Sequence, residues 1–460
     1  MLPWGAAAMS RAPNINCCVA AFFLIAAWSG LPVAIGRLEL ECDFSSALTD
    51  VCTLQGDVRI DVTSGQIVLF SRDPQTEPGE MGFRPHPRKW DKGLMESQVS
   101  ELPVRVVAHD DPSAPLMKCS RNNTAPGVVF SAGGYSGGPF HDFNEVFLPL
   151  FETTRGYDRN VVMLMSDLKG EWWWRDNPPK RSFVGAMTEH AIRLIGLEND
   201  TYSRAQGVEC FSNLTLGLYH SLCMYDENGG FQSRAASGTI LQEFGAYMRK
   251  GLRVPEPESS RVFVPAGATP VVGIVQRNTT RQFLNYGELI RAAQGENFTV
   301  VPIMFEALNH PEMAQTMASL DVLVAVHGAG LSNICLMRPG GAVLQVMPYG
   351  EGGSRDVTGM EYKNFAQEME LEYYEWRVPV QDSTILEQYN HRDGVEAPLQ
   401  GGRHVSVPQP GCRHAGGPAR GVSASDQTDA QRQSRHCDSD CLGLPPHRLQ
   451  QLISCYPLQS

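Results

Sequence analysis

Asp321–Pro348 reads DVLVAVHGAGLSNICLMRPGGAVLQVMP. Val322, Leu323, Val324 and Val326 make an apolar run of the length of a buried parallel strand. His327-Gly328-Ala329-Gly330 follows with almost no side-chain bulk. Leu331 to Met337 can then form a short helix. Arg338-Pro339-Gly340-Gly341 stops it, because proline cannot continue a helix and glycine takes the left-handed turn beyond it. Ala342–Val346 is a second apolar run. Strand, glycine turn, helix N-terminus and strand together present backbone N–H groups to an anion, usually a phosphate. A plain βαβ unit whose glycines only permit tight packing has the same pattern, so the neighbouring chain must separate the two.

Outward from this stretch the α/β alternation continues. Pro270–Gln276 and Phe298–Met304 read as strands, and Phe283–Gln294 and His310–Leu320 as helices. Tyr373–Val380 supplies one more strand. Gln276-Arg277-Asn278-Thr279-Thr280-Arg281 lies between a strand and a helix. Arg277 and Arg281 can converge on one anion, and the guanidinium fork suits phosphate. Two solvated arginines are the plain alternative, but a glycine turn in the same domain favours phosphate. Glu288 and Glu306 are weaker cleft residues, for ribose or base contacts.

A second α/β run begins near Gly127. Val128–Phe130 is a strand, Gly133–Pro139 a glycine-rich turn, Phe140–Thr154 an amphipathic helix and Asn160–Met165 a strand. Lys180–Ile195 and Ala235–Arg249 read as helices. His141, Asp142 and Glu145 open the first of these helices. Carboxylates in a first turn stabilise a helix through its dipole; at the rim of a cleft, Asp142 or Glu145 can instead be a general base. Gly134-Tyr135-Ser136-Gly137-Gly138 is a literal G-x-S-x-G, which raises a serine hydrolase. Gly138-Pro139 delays the helix, however, and no evident carboxylate orients His327, the obvious later histidine. Trp172, Trp173 and Trp174 cannot all share one face, so at least one is a stacking surface for an acceptor sugar or a loop anchor. The body has no D-x-D; Asp438-Ser439-Asp440 lies near the end of the chain. A diphosphate would then be neutralised by arginine, helix dipole and N–H groups, with no metal expected.

The 460 residues carry a net charge of −12, which argues against a nucleic-acid binder. Residues 12–36 are uncharged and long enough to span a bilayer as an uncleaved anchor, with a cleaved signal peptide as the rival. Sequons at Asn122, Asn199, Asn213, Asn278 and Asn297 suit a lumenal body. Of the 12 cysteines, Cys42/Cys52 and Cys210/Cys223 are spaced for local disulfides, Cys119 is a further candidate, and Cys335 reads as a packed free thiol. No C-x-x-C pair points to zinc. Asp57–Phe70 alternates around a Ser-Gly turn and predicts a hairpin. Asp73–Lys92, rich in proline and charge, reads as a surface loop.

The expected division is therefore a cytosolic tail (1–11), a signal-anchor helix (12–36), a β-rich lumenal lead-in (37–125), two Rossmann-like domains facing a cleft (126–260, acceptor; 261–395, nucleotide sugar) and a disordered or aberrant tail (396–460). The linker Pro255–Ser260 separates the two domains.

Three stretches, GGYSGGPFHDFNEVFLPLF (Gly133–Phe151), QRNTTRQFLNYGELI (Gln276–Ile290) and VHGAGLSNICLMRPGGAVLQVMPYG (Val326–Gly350), resemble glycosyltransferase family 61, in particular its grass xylan arabinosyl- and xylosyltransferases. The resemblance runs from about Cys119 to Asp393. It implies a type II, single-pass Golgi membrane protein with a GT-B fold, and metal-independent, inverting transfer of arabinofuranose or xylose from a UDP-sugar onto xylan. It implies that Arg277, Arg281, His327, Gly328, Ala329, Gly330 and Leu331 bind the nucleotide sugar, and that His141, Asp142 and Glu145 match a cleft-helix segment. Gln276 departs from the family's usual serine, and Tyr389–Asp393 is the remnant of a motif whose usual continuation is missing. A non-catalytic lectin-like or scaffold homologue is the alternative.

Overall fold

The computed structural model describes residues 39–378, apart from 75, 114, 170–181, 197–206, 222–239, 256–267, 279–280 and 349–356. In the first half the strands are β1 (Leu40–Asp43), β2 (Val51–Asp61), β3 (Ile67–Ser71), β4 (Gly79–Phe83), β5 (Leu102–Ala108), β6 (Cys119–Asn122), β7 (Gly127–Ser131), β8 (Val162–Ser166), β9 (Arg193–Leu194) and β10 (Val208–Leu216). They build one mixed sheet along the path β4-β5-β3-β2-β10-β7-β8-β9, with β1 on β2 and β6 on β10. The expected hairpin is β2 against β3, with Asp57 opposite Phe70. β10 pairs antiparallel with β2 and parallel with β7, so it welds the lead-in strands to the parallel β7-β8-β9. Sequence reading misses β10. A register shift between Phe211 and Asn213 breaks the two-residue alternation that would reveal it.

The second half holds β11 (Val271–Val275), β12 (Thr299–Ile303), β13 (Val322–Val326), β14 (Ala342–Met347) and β15 (Glu372–Arg377). All five are parallel, in the order β12-β11-β13-β14-β15. This is a doubly wound order, and its switch point lies between β11 and β13. Every residue of β13 and β14 is buried, which is why both read as unbroken apolar runs. Helix His310–Ser319 starts in a capping box made by Asn309 and Glu312. One large apolar core takes Phe143, Phe147 and Phe244 from the first half and Met313, Leu331 and Ile334 from the second, so helices of both halves close on the same layer.

Several expectations need correction. Among the described residues no helix is long and apolar enough to cross a membrane. The anchor over 12–36 lies outside the described residues, so the α/β reading keeps its two sheets without the membrane helix. The Golgi membrane as a partner, the single-pass type II topology and the transmembrane assignment, all of which rested on that helix, have no support. Lys180–Ile195 is not one helix. Within it, Phe183–Ala186 is a single turn and Arg193–Leu194 is β9. The apolar spacing that suggested a helix instead lets short pieces line the core. The short helix expected over Leu331–Met337 is present, as a 3₁₀ helix over Ala329–Leu336.

Cys42 pairs with Cys52 as expected, across β1 and β2. Cys210 does not pair with Cys223, which lies outside the described residues; its partner is Cys119. β6 lies directly beside β10, and this adjacency in space overrides closeness in sequence. Cys335 is a buried free thiol, and burial pushes its pKa up. The linker Pro255–Ser260, Trp172–Trp174, Asn199 and the tail 396–460 lie largely or wholly outside the described residues.

Candidate active site

The switch point brings the expected anion-binding residues together. Gln276 and Arg277 directly follow β11, and His327 and Gly328 directly follow β13. In doubly wound sheets ligands bind at the carboxyl ends of the strands where the order reverses. Gln276 closes the Arg277–Phe283 loop on itself: its amide nitrogen donates to the Phe283 carbonyl at 3.0 Å, and its amide oxygen accepts from the Phe283 N–H at 3.0 Å. Arg281 sits at φ +55°, an uncommon backbone conformation for a non-glycine residue, and its Nη1 donates to the His327 carbonyl at 2.8 Å.

Gly328 has φ +150°, and a Cβ there would run into Arg277 Nη1 and lie 3.2 Å from Arg281 Nη1. Both guanidinium groups therefore rest on the glycine turn. His327 is buried, with Nδ1 2.8 Å from Gln345 Nε2, and Tyr373 OH lies 3.2 Å from Gln345 Oε1. The segment Ala329–Leu336 starts immediately after this turn.

Across from it stands the segment Pro139–Thr154. Pro139–His141 packs on Ala329–Leu336, and Phe140 and His327 both contact the ring of Tyr362, at 6.0 and 5.6 Å. Asp142–Phe147 is π-helical, a distortion that recurs at functional sites. Asp142 is fully buried, and its Oδ1 accepts the Gly137 N–H at 2.9 Å. It ties the glycine loop to the helix. Glu145 is also buried, and its Oε1 meets His141 Nδ1 at 2.9 Å and Arg88 Nη1 at 2.6 Å. Its Oε2 lies 3.5 Å from His86 Nε2. Burial alone would raise the Glu145 pKa. The hydrogen bonds from His141 and His86 and the charge of Arg88 outweigh it and hold the carboxyl well below the usual range. Of His141, Asp142 and Glu145, the side chain of His141 alone is partly open, at 32%. An ionised carboxylate only accepts, so Nδ1 of His141 is the donor in this hydrogen bond.

Sequence reading missed Arg88, His86 and His220. Arg88 and His86 lie in Asp73–Lys92, the stretch read as a surface loop, yet both are buried and β4 lies in that stretch too. The prolines that signalled a loop, Pro85 and Pro87, flank His86 in a rigid turn that runs inward. His86 Nδ1 lies 3.1 Å from the Ser131 carbonyl, and the ring fills the space a Cβ on Gly134 (φ +62°) would need. His220, just beyond β10, is buried and its pKa is pushed down to about 4 by desolvation. Ser136 is buried as well, and its Oγ has no hydrogen-bond partner among the described residues. Among the described residues no group of three or more His, Cys, Asp or Glu is arranged to hold a metal ion. Of the sequons, Asn122, Asn278 and Asn297 are exposed, whereas Asn213 is half-buried within β10.

The Glycosyltransferase 61 family model matches residues 186–344, a span holding Arg277, Arg281 and His327–Leu331 but beginning after His141. An α-1,3-arabinosyltransferase of Oryza sativa subsp. japonica is 28% identical over 351 residues, 76% of this chain and 56% of its own length. A β-1,2-xylosyltransferase of the same plant is 28% identical over 370 residues, covering 76% of this chain and 74% of its own. The human protein O-linked-mannose β-1,4-N-acetylglucosaminyltransferase 2 is 25% identical over 260 residues, 53% of this chain and 41% of its own. The chain thus spans little more than half the length of the arabinosyltransferase it matches. With the glycine turn and both arginines inside the matched span, the chain belongs to glycosyltransferase family 61.

Proposed function

We propose that this chain transfers a pentose, arabinofuranose or xylose, from its UDP-sugar to xylan with inversion at the anomeric carbon. The observation that carries the reading is the convergence of Arg277 and Arg281 on Gly328 at the switch point of a parallel sheet, with the His141 segment packed on the next turn. The pentose is suggested by the activities named for the Oryza sativa relatives, and the xylan acceptor by the family likeness and by a xylan glycosyltransferase of Arabidopsis thaliana that is 24% identical over 372 residues.

In this reading His141 Nε2 takes the proton of the acceptor hydroxyl. The freed oxygen attacks the anomeric carbon from the face opposite UDP, the bond to the UDP oxygen breaks, and the diphosphate leaves with the electron pair. Glu145 fixes the His141 ring through its hydrogen bond to Nδ1. Arg277, Arg281, His327 and the N–H groups of Gly328–Leu331 neutralise the charge that grows on the departing diphosphate. Asp142 holds the glycine loop and does not act as the base. Trp172–Trp174 serve the acceptor, and Asn122, Asn278 and Asn297 are accessible for N-glycosylation. The reaction needs no metal ion.

UDP release from UDP-xylose and UDP-arabinofuranose, with xylohexaose as acceptor and EDTA present, tests the whole reading. Turnover with one pentose donor is the expected result. UDP binding without turnover of either donor would make the chain a non-catalytic homologue. Activity abolished by Ser136→Ala and by a serine-directed phosphonate would revive a hydrolase.

A further inference from the structure

We propose that Arg88 is a positioning residue that shares the Glu145 carboxylate with His141 and so keeps His141 a neutral base rather than a fixed imidazolium. The inference rests on the reading of His141 as the base. Its starting point is one oxygen: Glu145 Oε1 lies 2.6 Å from Arg88 Nη1 and 2.9 Å from His141 Nδ1. The two donors therefore cannot be more than about 5.5 Å apart. A lone carboxylate behind a histidine orients the ring but also stabilises its protonated form, and that removes the base. A permanent cation on the same oxygen offsets this. It takes up much of the carboxylate's charge and repels a second positive charge on the imidazole. The orienting hydrogen bond survives while the bias toward imidazolium is cancelled.

The fold holds Arg88 in place at some cost. Its backbone takes φ +86°, a left-handed conformation that a non-glycine residue adopts rarely. Its N–H donates to the Leu48 carbonyl at 2.9 Å. The guanidinium lies 4.7 Å from the Tyr135 ring and 5.2 Å from the Trp90 ring. Tyr135 in turn stands 5.1 Å from His141, so one ring touches both partners of the carboxylate. Among the described residues, the other ionisable groups near this carboxylate and histidine include His86 from the loop after β4, His220 beyond β10, and Asp142 on the same helix. Burial holds His220 neutral above about pH 4, so it contributes no charge near neutrality. Asp142 is engaged by the Gly137 N–H. Arg88 is the permanent cation of the set.

An ion pair that merely stabilised the core would not set the protonation of His141, and this separates the two roles. The experiment is a titration of the His141 ring by ¹³C-histidine NMR, assigned with His141→Gln, alongside the pH profile of kcat/KM with UDP-xylose or UDP-arabinofuranose and xylohexaose. In Arg88→Met the His141 midpoint rises by about one unit or more, and the acid limb of kcat/KM moves up by the same amount. Arg88→Lys, which keeps the charge, returns both toward the parent values.

Arg88→Met leaves a buried carboxylate without its cation, which destabilises the fold. The double variant Arg88→Met/Glu145→Gln removes both charges and keeps the question open to test. The midpoint then stays within about 0.3 unit of the parent if Arg88 offsets Glu145, and falls by about a unit if Glu145 acts alone. A midpoint that does not move in folded Arg88→Met, or that falls in the double variant, overturns the proposal. A midpoint that moves while the kcat/KM limb stays put upholds the role of Arg88 and shows that His141 is not the base.

Discussion

Replacing Gly328 by alanine tests whether the glycine turn and the two arginines form one anion site, because it removes no functional group. The added methyl has two consequences. A side chain at φ +150° is strained, at about 1–3 kcal/mol. The methyl also occupies the place of Arg277 Nη1 and presses on Arg281 Nη1 at 3.2 Å, so one guanidinium has to move. If that group grips a phosphate, displacing it removes a charge-assisted hydrogen bond worth about 1.5–3 kcal/mol. UDP affinity should then fall by about 10- to 150-fold. Calorimetric titration with UDP measures this loss, and thermal unfolding measures the strain separately. A variant that unfolds a few degrees earlier yet binds UDP within about twofold of the parent would refute the anion site and leave Gly328 as a packing residue.

Arg281→Ala should weaken UDP by a similar factor and also lower kcat, since charge builds on the diphosphate only as it leaves; an unchanged affinity removes Arg281 from the site. Gln345→Leu takes the hydrogen-bond partner from His327 Nδ1 and should weaken UDP by about fivefold, roughly 1 kcal/mol, read by the same titration. His220 stays neutral in the fold down to about pH 4, whereas the unfolded chain protonates it near 6.5. Between those values the unfolded state binds more protons, so stability falls as pH falls, by about 3 kcal/mol across the window. His220→Phe should flatten urea-derived stability between pH 6.5 and 4, and an unchanged slope rules His220 out as its source. Reducing Cys119–Cys210, which closes a loop of 91 residues, should cost about 2–5 kcal/mol in the same assay.

The amino-acid sequence by itself determined the second sheet and placed the candidate anion-binding residues at its strand ends. β13 and β14 are buried on both faces, so each is an unbroken apolar run. The turn after β13 and the arginines after β11 lie at strand ends that the same runs mark. Proximity to such an end is a local property, and sequence records it. Tertiary structure alone decided what surrounds the carboxylates. Glu145 and Asp142 read as equal candidates for the base until their surroundings showed one gripping an arginine and the other capping a loop. Arg88 stands 57 residues from Glu145 in a proline-rich stretch whose composition suggests only a surface loop. Cys210 and Cys119 meet because β6 and β10 are neighbours, although 91 residues separate them. Periodicity reports which face of an element is buried, but which groups meet across elements is set by packing. The charge state of a buried carboxylate depends on those meetings, so it could be read only from the folded chain.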